Sequence, residues 1–93
     1  MKYRLLPQAV VDLDYIAGHD PWAAIRLVDA LERRWDLLTL HPFSDAPRDD
    51  IVPRIRHLLV GDYLTLYRVG DGAIEIIRVL HGHRNIEADD LGP

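Results

Sequence analysis

A chain of 93 residues, 48% of them hydrophobic, makes one domain near the lower limit for a self-sufficient core and is too apolar to stay disordered. It has no cysteine, which excludes disulfide staples and thiolate metal sites. Its net charge of −4 argues against a protein that holds nucleic acid by its whole surface.

The opening run MKYRLLPQAVVDLDY carries Asp12 and Asp14 and no long apolar stretch, so no secretory signal is expected. Nothing approaches the roughly 18 apolar residues of a membrane span. A cytoplasmic protein is the expectation.

Lys2–Leu6 is short, mixed and stopped by Pro7, which fits a first strand. From Gln8 the period changes: Ala9, Leu13, Ile16 and Ala17 recur on one helical face, and the helix is expected to stop near Gly18. Asp20-Pro21 reads as an N-cap followed by proline in the first turn, where its missing N–H costs nothing. Ala24, Val28, Leu31, Trp35 and Leu38 then define a long second helix, with an Asp29–Arg33 pair on its polar side. Both tryptophans, Trp22 and Trp35, are read as core. His41-Pro42 ends the helix, and Pro42–Pro53 reads as a surface loop.

Arg54–Val60 is the next expected strand. Tyr63–Val69 and Ala73–Leu80 follow, separated by Gly70-Asp71-Gly72, a hairpin signal because glycine supplies the positive φ of a tight turn. Both faces of Ile74–Leu80 are largely apolar, which places this strand inside the sheet and covered on both sides. The tail Asn85–Pro93 reads as a short acidic helix or a loose end. The expected order is β-α-α-β-β-β over residues 1–93, an α+β fold with a helical hairpin packed on a small antiparallel sheet.

Charge is unevenly spread. Residues 54–84 hold Arg54, Arg56, Arg68, Arg78 and Arg84 against Asp62, Asp71 and Glu75, with His57, His81 and His83 beside them. This basic island on an acidic chain suits a polyanion or an acidic protein partner.

The chemistry these residues permit is narrow. His81 and His83 stand two apart at a strand end, where alternation sends them to opposite sides, so no metal site is expected. Ser44 is the one serine and lacks a nucleophile elbow. Gly70-x-Gly72 lies inside a hairpin and is no phosphate loop. Metal-free RNA cleavage is the serious enzymatic option: it needs acid–base groups and phosphate-holding cations, types supplied by His81, His83 and the arginines. The alternative reading makes Arg54, Arg56 and Arg68 solvated strand residues and Arg78 the buried partner of a carboxylate.

The segments YRLLPQAVVDLDYI, RIRHLLVGDYLTLYRV and IEIIRVLHGHRN carry a resemblance to the RelE/ParE superfamily of toxins from bacterial type II toxin–antitoxin systems. Tyr67-Arg68-Val69 and the run from Ile76 to His81 resemble the ParE branch most. That resemblance implies two helices on a small antiparallel sheet, no cofactor, a ParD-type antitoxin bound as a hetero-oligomer, and inhibition of DNA gyrase rather than chemistry. Arg54, Arg56, Arg68, Arg78, His81 and Arg84 are the expected partner-binding residues. Direct sequence-specific nucleic-acid binding is not expected.

RelE-like ribosome-dependent mRNA interferases typically place arginine after the turn tyrosine; here Leu64 follows Tyr63. They also tend to carry a tyrosine near the C-terminus, and none follows Tyr67 here. Of that pattern Arg56, Arg78, His81 and Arg84 survive as phosphate-holding or acid–base groups, so the interferase is the second expectation, and a detoxified partner-binding module the third.

Overall fold

The computed structural model describes residues 2–41 and 54–82. The order is β1 (Lys2–Leu5), α1 (Pro7–His19), α2 (Pro21–Leu40), β2 (Arg56–Val60), β3 (Tyr63–Val69) and β4 (Ala73–His81). The α+β class and the β-α-α-β-β-β succession are those expected. The expected loop Pro42–Pro53, the tail Asn85–Pro93, His83 and Arg84 lie outside the described residues. Among the described residues, no helix is long and apolar enough to cross a membrane.

Local chemistry sets the helix ends. Pro7 and Pro21 each open a helix, where proline's fixed φ suits the first turn. The Asp20 carboxylate accepts from the Ala23 N–H at 3.1 Å, satisfying one of the donors a helix start leaves over. Asp29 and Arg33 pair at 2.7 Å across one turn of α2.

The four strands run in the order β1-β4-β3-β2. β2–β3 and β3–β4 are antiparallel hairpins, but β1 lies parallel to β4, so the sheet is mixed. The reason is topological: the two helices carry the chain from β1 back over the sheet, and such a crossover permits a parallel neighbour. Two-residue turns close the hairpins. Gly61 (φ 59°) leads one and Gly72 (φ 79°) ends the other, while the Gly70 N–H donates to the Ala73 carbonyl at 2.9 Å.

β4 is central, as its two apolar faces indicate. Toward the helices, Ile74, Ile76 and Val79 join Tyr67, Leu58, Leu31, Trp35, Leu38 and Ala9 in the main core. Trp35 is buried and donates its indole N–H to buried Thr65 at 3.1 Å, which satisfies both polar atoms inside the core. On the other face Leu64, Leu66, Ile77 and Leu80 form a smaller cluster with Ile55. A bulge makes this arrangement possible. Tyr67 pairs with Ile76 and Leu66 with Arg78, so Ile77 is an extra residue and the inward–outward alternation resets at that point.

Two expectations need correction. Trp22 is exposed, not core. Two residues separate it from buried Ala24, a rotation of about 200° around the helix that turns Trp22 to the outer side. β2 begins at Arg56 rather than Arg54, because Arg54 adopts φ 71°, a left-handed conformation that ends strand pairing.

Candidate functional site

β1 pairs with β4 only from Ala73 to Ile76. Beyond that point the edge of β4 carries backbone groups that need partners, since a buried peptide N–H left unpaired is costly. α1 meets the need with one side chain. Asp12 accepts from the Val79 N–H at 3.0 Å and from Arg78 Nε and Nη2 at 2.7 and 2.9 Å. Both charged side chains are largely shielded, at 14% and 11% exposure, and the two-pronged geometry is the strong form of this contact.

This lock forms the floor of a cleft of about 540 Å³ between α1 and the far end of the β3–β4 hairpin. Val11, Asp12, Tyr15 and His19 line it from α1, Tyr63 from β3, and the run Arg78 to His81 from β4. His81 stands edge-on to Tyr63, with ring centroids 5.6 Å apart. His19 lies over Tyr15 at 4.3 Å, with Nδ1 3.0 Å from the Tyr15 carbonyl. The cleft is thus a mostly apolar trough rimmed by two histidine–tyrosine pairs. Such a surface suits a protein segment that brings apolar side chains and a few hydrogen-bonding groups.

The expected site residues separate into groups. Arg78 and His81 come together in the cleft with Tyr63. Arg68 lies at the opposite end of the hairpin, where its Nε donates to Glu75 at 2.5 Å. Arg4 from β1 binds the other oxygen of Glu75. Glu75 is therefore the centre of a three-strand charge bridge, and hydrogen bonds first from Arg68 and then from Arg4 hold its carboxyl below the usual range. Arg56 sits on β2 opposite Tyr67, and Arg54 is exposed in the preceding turn. Arg84 lies outside the described residues. The island is therefore not one uniform cationic patch: Arg68 and Arg78 are bound to carboxylates.

Asp12, Tyr15, His19, Tyr63 and Glu75 are the site and support residues that the sequence reading did not single out. A signal existed for two of them. Asp12 falls between Ala9 and Ile16 on the packed side of its helix, and Glu75 interrupts the apolar run of a central strand. A carboxylate at such a position implies a buried partner.

Among the described residues, no group of three or more His, Cys, Asp or Glu side chains could hold a metal.

Comparison with known proteins bears on most of the chain. Residues 3–86 match the family model described as the ParE toxin of the type II toxin–antitoxin system parDE. Toxin ParE1 of Mycobacterium tuberculosis (strain CDC 1551 / Oshkosh) is 30% identical over 92 residues, covering 92% of this chain and 94% of that protein. A solved structure described as the chromosomal ParDE TA system from P. aeruginosa superposes with a TM-score of 0.72 at 25% identity, covering 87% of this chain and 95% of that one. The chain belongs to the ParE toxin family of type II toxin–antitoxin systems.

Proposed function

We propose that this ParE-type toxin arrests growth in the cytoplasm by binding and inhibiting DNA gyrase, and that a ParD-type antitoxin neutralises it. The observation that carries this reading is the engagement of Arg78. Cleavage of RNA needs cations available to the phosphate as charge builds, and the Arg78 guanidinium is bound on two nitrogens by Asp12 and shielded from solvent. Leu64, at the position where an mRNA interferase typically carries arginine, is buried in the second cluster. Both positions serve the fold.

The antitoxin is assigned a helix and an extended segment laid across the toxin. The cleft beside α1 and the residues Arg54, Arg56, Arg68, Arg78, His81 and Arg84 are the proposed contacts. One set of assays on the chain expressed alone tests the function: growth, gyrase supercoiling and ribosome-dependent mRNA cleavage. Loss of supercoiling activity with intact mRNA is the expected outcome. A second reading, the mRNA interferase, is favoured by the position of His81 at the cleft mouth beside Tyr63. Message cleavage that falls about 100-fold or more in His81→Ala, the size of a lost acid–base group, would replace the gyrase reading.

A further inference from the structure

The outer side of α2 is unusual in being apolar at both ends. Trp22 and Ile25 are 75% and 63% exposed near its start, and Leu37 and Leu40 are 54% and 71% exposed near its end. Single exposed apolar residues are ordinary, but these four share one side of a helix whose opposite side is fixed in the core by Ala24, Leu31, Trp35 and Leu38. At about 100° per residue all four fall within about 60° of one line.

The charged residues on the same side complete a pattern. Reading outward in both directions from the level of Leu31, Asp29 is matched by Arg33, Arg26 by Asp36, Ile25 by Leu37 and Trp22 by Leu40. Every apolar residue has an apolar counterpart, and every charge has the opposite charge. A sequence with this symmetry is complementary to itself when reversed.

We propose that the outer face of α2 is a homodimer interface, on which a second copy of the chain packs antiparallel about a twofold axis level with Leu31. In that register Trp22 meets Leu40 of the second copy, and Ile25 meets its Leu37. Arg26 meets Asp36 of the second copy, and the exposed Asp29–Arg33 pair exchanges partners across the axis. An isologous contact of this kind closes on itself and stops at two chains. Its core is two apolar clusters about 22 Å apart, joined by ion pairs that set register and orientation. The contact is at the small end of stable interfaces, so the dimer forms in the micromolar range. No residue of α2 lines the cleft, so dimerisation leaves that site open.

Sedimentation equilibrium of the purified 93-residue chain is the test. A reversible monomer–dimer equilibrium is expected, weakened at least about tenfold by Ile25→Glu, since each dimer carries the change twice. Arg26 and Asp36 are too far apart along the helix to meet within one chain. Arg26→Asp and Asp36→Arg should therefore each weaken the dimer several-fold, while the double reversal R26D/D36R restores it. The chain has no cysteine, so cross-links are unambiguous: a mixture of W22C and L40C should oxidise mainly to the mixed pair. A monomer at every concentration, an unrestored double reversal or a predominance of W22C homodimers would each overturn the proposal. All these residues are exposed, and unchanged thermal unfolding of each variant as a monomer checks its fold.

Discussion

Glu75 gathers three strands through one carboxylate. Arg4 on β1 and Arg68 on β3 are its register partners on either side, and each holds one of its oxygens. The carboxylate is buried while the arginines keep much of their length in water, so its desolvation is offset by hydrogen bonds more than by bare Coulomb attraction. Glu75→Gln removes the charge but keeps the shape, and should cost about 1–3 kcal/mol at neutral pH. The pH dependence has a definite sign. The folded-state pKa is lowered, so the stabilisation is complete above the unfolded-state value of about 4.3 and is lost as pH falls through the lower folded-state value. Denaturant titrations should show the gap between wild type and Glu75→Gln closing in that acid window. A gap that persists unchanged at the acid end would mean that the carboxylate's charge is not what separates the two variants.

At the scale of elements, α1 and β4 are joined where β1 runs out. Asp12 there does the work of a missing strand by accepting the Val79 N–H, and it neutralises Arg78 at the same time. Asp12→Ala should destabilise the fold by about 3–5 kcal/mol, because it leaves a shielded guanidinium without its counter-charge. Removing Arg78 as well, with Arg78→Met, should recover part of that loss. Hydrogen exchange at Val79 separates the two duties: it should quicken in Asp12→Ala and stay protected in Asp12→Asn, which keeps an acceptor oxygen. The elements themselves were legible for local reasons. Both helices announce themselves by proline and a regular apolar stripe, the second also by its aspartate cap, and both hairpins by glycine turns. The parallel pairing of β1 and the bulge at Ile77 were not legible, since both depend on partners distant in sequence. The Asp12–Arg78 contact spans 66 residues; a buried carboxylate partner for Arg78 was one of two readings open in the sequence, and nothing local named the partner.

For the whole molecule, charge is the property that the fold revises most. The run from Arg54 to Arg84 suggests a cationic surface that would draw an acidic antitoxin by long-range attraction. Folding places Asp12 on Arg78, a pair that at a distance acts as a dipole rather than a charge, and sets Glu75 between Arg68 and Arg4, where it cancels one of their two positive charges. The chain as a whole is negative. Encounter with an acidic partner then gains little from steering, which requires a net field extending about a Debye length, ~10 Å at 0.1 M salt. Recognition falls instead to short-range contacts, and those govern dissociation more than association. Stopped-flow association with the antitoxin should slow by less than about tenfold between low and high ionic strength, where strongly steered pairs change far more. Arg68→Ala and Arg78→Ala should lower folding stability while leaving the association rate within about threefold of wild type, the modest range typical of unsteered interface variants. A steep salt dependence, abolished by Arg54→Ala together with Arg56→Ala, would instead give the start of β2 the steering role.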